Sequence, residues 1–549
     1  MFGTHATGSA EGTELVSLRD AQAAGYAADG YCRATGEAAV VLSRGTVEAL
    51  QLASALLTSW GDRLPVVAVT RVPDADVPLV RAAFGAVTQA QLTVLDEQGL
   101  EPLSQLPPQG PVHVMLSGDL PAGSVLRSLR ITPHHDREAD PEQVREAAQL
   151  LRGCKRPLLL IGRGAVGIDP HLAAELGRVV DCPVLLTASA STMPAATLDR
   201  FRRAFAVDAA LVPSGNLVWV KALAQADGVL ALGTALSEVD WFGLSSLRLA
   251  RGRVVRVGLQ PGSPELAHQF IRAEVGAFLR QLLDHFPSGG AVDSRRVAKW
   301  RQASAAWREQ VAQEAEAAAR LPHVEPCLAA HTIVAGAPED TLFISEGGAC
   351  GMWLWSYLWL RPLVFPVQHG TIGVPVPMAL GALVDRPGRP VWCVVGDGAF
   401  FYNARELCTL REGGHCPVFF VFNDSCWSAI RLGQTAVFGG RYVGTDLAAT
   451  DYAEVAELHG CEGLTVRTPQ ELSRAVARAR EDSRRVPLVV DIHLNKDHIP
   501  YAGASFVLAE FDGVLGSLLP GLVLSTGLGL ARGSLSVATL RSLMRVSRQ

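Results

Sequence analysis

Two acidic residues at the ends of two apolar runs carry the clearest chemistry in the chain. Asp397 stands in Gly396-Asp397-Gly398, directly after VWCVV, and Asp424 closes PVFFVFND, 27 residues further on. Apolar runs of this kind read as buried strands of a parallel sheet. The stretch ARELCTLREG between them reads as a helix, which makes the unit strand–helix–strand. Open α/β sheets bind ligands at the carboxyl ends of their strands. Two oxygen donors delivered to that edge suit a hard divalent cation such as Mg²⁺. The glycines let backbone N–H groups come close to a phosphate. A lone GDG would be an ordinary glycine turn, but this spacing with both strands in place argues for one site.

The elements that must position this site extend over most of the 549 residues. Such a length suggests about three domains. A first block holds AAVVLS (38–43), a helical pattern at 47–60, PVVAVT (65–70) and PVHVML (111–116). A second holds PLLLIG (157–162), PVLLTA (183–188), GVLALG (228–233) and RVVRVG (253–258). A third holds TLFISEGG (341–348), the GDG unit and PLVVDIHL (487–494). The pattern predicts three doubly wound α/β domains with parallel sheets at 1–125, 140–290 and 322–500, followed by a tail at 501–549. The linker ITPHHDREADPEQ (131–143) reads as solvated, and His134-His135 with it. The charged segment 294–321 reads as an exposed bridging helix with local ion pairs. IGRGAVG (161–167) lacks the full dinucleotide spacing and is either a weak nucleotide loop or a tight strand-to-helix turn.

Composition excludes several classes. Apolar residues make up 48% and charged residues 19%, which fits a folded, core-rich chain. Net charge is −5 with no basic stripe, so no nucleic-acid partner is expected. The ten cysteines form no C-x-x-C pair, which argues against a zinc site or a disulfide framework. MFGTHATGSAEG has no basic or apolar leader pattern, and a cytoplasmic location is expected. The uncharged run 514–531 is broken by Pro520 and by glycines, so a packed or poorly ordered tail is expected rather than a membrane span.

Residues 396–424 resemble the diphosphate-anchoring motif of thiamin diphosphate enzymes, a GDG followed at this distance by an asparagine pair. HGTIGVPVPMALGA (369–382) is similar to the same family's turn that receives the aminopyrimidine. The resemblance covers roughly residues 15–500 and points to the acetolactate synthase-like and 2-hydroxyacyl-CoA lyase-like groups. It implies thiamin diphosphate and Mg²⁺ as cofactors. The metal ligands would be Asp397, Asp424 and the main-chain carbonyl of Cys426. Asp424 departs from the commoner asparagine and adds a negative charge beside a diphosphate. The carbonyl of Gly370 would accept from the pyrimidine's amino group, and Ile372 would hold the cofactor bent. Thr371, Gly396, Gly398 and Ala399 belong to the same cofactor-binding set. Gly347, Gly348 and Ala349, in SEGGACGMWLW (345–355), would face the diphosphate. Trp427 is either a cofactor contact or core packing. Some members hold FAD in the central domain, which leaves FAD open here.

One position departs from the family. GYCRATG (30–36) matches its first domain, and counting back from Tyr31 puts Ala21 where the family has a glutamate that bonds the pyrimidine N1′. Asp20 reads as the N-cap of the helix beginning at Ala21. LSRGT (42–46) replaces the family's Ser-Gly-Pro-Gly, and the first domain is expected to be short at its start. Glyoxylate carboligases share the missing glutamate and remain active. The resemblance therefore implies decarboxylation of a 2-oxo acid such as pyruvate, with carboligation, in a homodimer or homotetramer. The alternatives are C–C cleavage of a 2-hydroxyacyl thioester, or a cofactor-binding pseudoenzyme or partner subunit.

Overall fold

In the computed structural model the described residues are 1–4, 15–94, 110–116, 137–205, 211–212, 217–236, 240, 253–259, 267–287, 295–366, 369–438 and 440–496. His134, His135 and the run 514–531 lie outside them. Three six-stranded sheets follow one another along the chain. Their strand pairs are all parallel.

The first sheet contains β1 (Phe2–Gly3), β2 (Val16–Ser17), β3 (Ala39–Arg44), β4 (Val66–Arg71), β5 (Ala90–Val94) and β6 (Val112–Leu116), in the order β2-β1-β3-β4-β6-β5. The second contains β7 (Pro157–Ile161), β8 (Val184–Leu186), β9 (Leu211–Val212), β10 (Gly228–Leu232), β11 (Arg253–Gly258) and β12 (Gln269–Arg272), in the order β12-β11-β10-β7-β8-β9. The third contains β13 (Leu342–Ser345), β14 (Leu363–Val364), β15 (Val391–Gly396), β16 (Val418–Asn423), β17 (Glu462–Val466) and β18 (Leu488–His493), in the order β14-β13-β15-β16-β18-β17. Numbered from their own first strands, the first and third sheets have the same order. The second has the dinucleotide-fold order. Central strands such as β7 and β16 are buried at every residue, which is why they read as unbroken apolar runs.

Two helices join the first sheet to the third. α1 (Ala21–Thr35) starts at Asp20, whose side chain accepts from the N–H of Ala23 at 2.7 Å, and stops at Gly36 in a left-handed turn. α2 (Thr46–Gly61) follows β3. Further on come α3 (Ala349–Leu358), α4 (Pro375–Asp385) and α5 (Ser428–Phe438). α1 and α4 occupy equivalent places in their sheets and cross face to face. They approach so closely that a Cβ on Gly381 would lie 1.8 Å from the Ala27 carbonyl, and one on Gly30 would lie 2.5 Å from that of Met378. Small residues on both helices make that approach possible.

The buried clusters give the spatial order of the sheets. One unites α1, α2 and the first sheet with α4 and one face of the third sheet. Another unites the second sheet with the third. The third sheet is therefore central in space although last in sequence. The helix Arg295–Ala318 contributes to that second cluster through Val297, Trp300, Trp307, Val311, Ala315 and Ala318. This corrects the expectation of an exposed bridge: one stripe is a buried seam, while the opposite face meets water. Among the described residues no helix is long and apolar enough to cross a membrane.

Candidate active site

The carboxyl ends of β13, β15 and β16 lie side by side, because β13 pairs with β15 and β15 with β16. Each releases an acidic residue: Glu346 after β13, Asp397 after β15 and Asp424 after β16. The turn that opens α4 meets them from the side. Together they line a cavity of about 580 Å³. That size suits a cofactor-sized ligand.

The cavity brings together Gly348, Ala349, Gly370, Ile372, Gly396, Asp397, Gly398, Ala399, Asp424, Cys426 and Trp427. Thr371 is not in its wall; its hydroxyl lies 3.3 Å from that of Thr58 on α2. Next to it the His369 ring stacks on Trp60, so α2 braces the turn from the first sheet. Ala21 is also absent from the wall. It is fully buried in the core that α1 shares with Val376, Ala399 and Phe400. Asp20 is committed to its cap and to an ion pair with Arg405.

Local backbone explains how the turn holds its shape. Gly370 has φ +55 and Gly373 φ +78, a region in which side chains are strained. At Gly373 a Cβ would also meet Tyr402 Cβ at 2.3 Å. Trp427 is half-buried: it lines the cavity and packs on Gly398, where a Cβ would lie 2.8 Å from its ring.

The electrostatics are those of an acidic pocket. Burial pushes the Asp397 carboxyl up to about 7, and neighbouring Asp424 adds to the rise. Burial also raises Asp424, whose oxygens accept from the Ser428 hydroxyl and the N–H of Cys426. Burial holds Glu346 up to about 8, against the N–H groups of Gly373 and Gly396 that favour its charge. No lysine, arginine or histidine is among the described lining residues. Carboxyl groups crowded in this way are the setting in which a divalent cation relieves mutual repulsion. Among the described residues no cluster of three His, Cys, Asp or Glu side chains could hold a metal. The thiols of Cys350 and Cys426 are pushed up by burial, Cys426 to about 12, so neither is a thiolate nucleophile near neutral pH.

Three contributors had weak sequence signals. Glu346 follows TLFIS directly, yet its partners are backbone amides of other loops. Asp491, inside the apolar strand β18, accepts from the Asn423 side chain at 2.9 Å and from the N–H of Tyr452 at 3.0 Å, so it fixes the residue before Asp424. A charged residue within PLVVDIHL was the visible clue. Tyr402 lines the cavity from a segment with no motif.

In the second sheet, the first two glycines of IGRGAVG serve protein packing. A Cβ on Gly162 would lie 2.5 Å from Thr234 Cβ, and one on Gly164 would lie 2.8 Å from the Gly233 carbonyl. The loop is a strand-to-helix turn pressed on its neighbour, which gives no support to FAD there.

Residues 346–492 match the model of the thiamine pyrophosphate enzyme C-terminal TPP binding domain, and residues 4–92 that of the N-terminal TPP binding domain. An acetolactate synthase of Mycobacterium avium is 27% identical over 523 residues, covering 88% of this chain and 81% of that protein. A probable 2-ketoarginine decarboxylase of Pseudomonas aeruginosa is 27% identical over 509 residues, covering 84% and 83%. A probable sulfoacetaldehyde acetyltransferase of Rhizobium meliloti is 24% identical over 529 residues, covering 86% and 86%.

Proposed function

The chain belongs to the thiamin diphosphate-dependent enzymes, in their acetolactate synthase-like family, and on that premise we propose that it is a Mg²⁺-dependent decarboxylase and carboligase of 2-oxo acids of the pyruvate type. The observation that carries this reading is the convergence of Asp397, Asp424, Gly370 and Ile372 on one cavity at three strand ends. Asp397, Asp424 and the Cys426 carbonyl would hold Mg²⁺ against a diphosphate, with the N–H groups around Gly348 and Gly398 nearby. The Gly370 carbonyl would accept from the pyrimidine's amino group, and the Ile372 side chain would set the bend. Thiamin diphosphate supplies, when bound, a stabilised carbanion centre beside a carbonyl carbon. The protein's own part is to orient, to hold metal and to exclude water. The apolar wall formed by Met352, Phe365 and Phe422 favours that exclusion.

A second reading is a cofactor-binding protein without turnover. It is favoured by Ala21, which offers no carboxylate at the helix start, and by the commitment of Asp20 elsewhere. Melting the protein with thiamin diphosphate, with and without Mg²⁺, separates binding from no binding. Release of CO₂ from pyruvate, compared between wild type and Ala21→Glu, separates turnover from binding alone. Large activity gained only in Ala21→Glu would favour the second reading. A fast wild type slowed by that substitution would favour a glutamate-free enzyme. No cofactor shift at saturation would sink both.

A homodimer fits the apolar side chains that α2 leaves exposed, Val47, Leu50, Leu57 and Trp60. Light scattering of the purified protein tests it. All ten cysteines are unpaired, which suits a reducing compartment.

A further inference from the structure

Glu346 is buried at the cavity floor, and no role given above uses its carboxyl group. Its Oε2 accepts from the N–H of Gly373 at 2.6 Å, and its Oε1 accepts from the N–H of Gly396 at 3.0 Å. These two donors belong to different loops. Gly373 closes the turn that presents Gly370 and Ile372. Gly396 opens the loop that presents Asp397. The segment carrying Glu346 presses on the first of these as well, since a Cβ on Gly347 would lie 2.9 Å from the Gly370 carbonyl. Gly373 is held from its other side too, where the Asn403 side chain donates to its carbonyl at 2.7 Å.

A carboxyl group can bridge two N–H donors because both of its oxygens accept, whereas an amide offers only one accepting oxygen. Buried N–H groups left without a partner are costly, so neither donor can move away freely. We propose, resting on the thiamin diphosphate reading, that Glu346 is a positioning residue. Its carboxyl group sets the distance between the turn at 370–373 and the loop at 396–398. That distance holds the pyrimidine end of the cofactor in register with its metal-anchored end. Its effect on reaction would come through this spacing, because small displacements of positioned groups cost rate steeply.

The test uses the full chain with Glu346→Gln and Glu346→Ala. In the free protein, amide hydrogen exchange is followed at Gly373 and Gly396. Glu346→Ala should speed both roughly tenfold or more while the amides of β16 and α1 keep wild-type rates. Glu346→Gln should release one of the two. With thiamin diphosphate and Mg²⁺ added, tryptophan fluorescence reads affinity and near-ultraviolet circular dichroism reads the bound conformation. Glu346→Gln should bind within about threefold of wild type yet lose the bound-state dichroic signature. Unchanged exchange at both glycines in Glu346→Ala would overturn the proposal. A uniform rise in exchange across the whole protein, the mark of a merely stabilising residue, would do the same. A wild-type dichroic signature in a variant whose two amides are released would also overturn it. Wild type that binds no cofactor refutes the underlying reading, and the exchange measured in the free chain tells that failure apart.

Discussion

The first and third sheets have the same strand order and equivalent linking helices, yet they close their strand ends differently. In the third, the loops after β13, β15 and β16 surround a cavity and bring three carboxyl groups to it. In the first, Glu48 on α2 sits beside the ends of β1 and β3. It accepts from the Thr4 hydroxyl at 2.7 Å and from the N–H of Arg44 at 3.0 Å, tying the residue after β1 to the last residue of β3. Both units use one carboxylate to join two segments of the chain. Glu346 does so at the floor of a cavity, and Glu48 does so near the surface. The sheet supplies the edge, and the loop residues decide whether that edge becomes a site.

The sharpest test of this contrast removes one carboxylate from each unit. Asp397→Ala should weaken Mg²⁺-dependent cofactor binding by at least about 100-fold, while Glu48→Ala should leave it within about twofold. Titration calorimetry reads both. Equal losses would erase the distinction between the two edges.

The joint between the units comes next. Gly381→Ala forces a methyl group onto the Ala27 carbonyl. It should cost about 3 kcal/mol by overpacking, read as a lower urea midpoint with both units unfolding together. A separate transition for each sheet would show that the joint is weaker than the core suggests.

The two units should also respond to pH in opposite directions. His113 in β6 is stacked on Phe84 and bonded to Thr70, and burial lowers it from 6.5 to about 3. The unfolded chain takes up that proton first, so its contribution is complete above about pH 6.5 and is lost as pH falls toward 3. Glu346 is raised from 4.5 to about 8, and Asp397 from 3.8 to about 7. For these the unfolded chain releases its proton first. Their contribution to the free protein is complete below the ordinary values and is lost as pH rises toward 7 and 8. Exchange-detected local stability in β6 and β15 from pH 5 to 9 reads the two trends. Parallel trends would break the comparison. Mg²⁺ favours the ionised carboxylates, so cofactor-induced stabilisation should grow over the same rise in pH.

The smallest effect is at the start of α1. Asp20→Ala removes its cap and the Arg405 pair. It should cost about 1 kcal/mol, seen in the urea midpoint, with cofactor affinity unchanged.

The long central strands were legible in the sequence because burial on both faces makes them continuous apolar runs, as in β4, β7 and β16. The GDG loop and Asp424 were legible because a short motif sits at a strand end. The two-residue strands β1, β2 and β14 were not, since periodicity needs more length to show. The clasp at Glu346 was not legible either. Its partners are peptide N–H groups, which every sequence contains. The buried stripe of Arg295–Ala318 was hidden by the many charged residues that alternate with its apolar positions along the helix. Ala21 was legible as a departure, but its burial against α4 depends on a contact more than 300 residues away.

The close crossing of α1 and α4 has a consequence for synthesis. α1 ends at Thr35 and its cover begins at Pro375, 340 residues later. At about 5–20 residues per second, the ribosome takes roughly 17–68 s to make that stretch. Throughout that interval the first unit carries an unshielded glycine–alanine face, and the second sheet is completed before its own partner appears. The chain therefore closes from its last-made unit outward, and its early segments wait for the element that locks them.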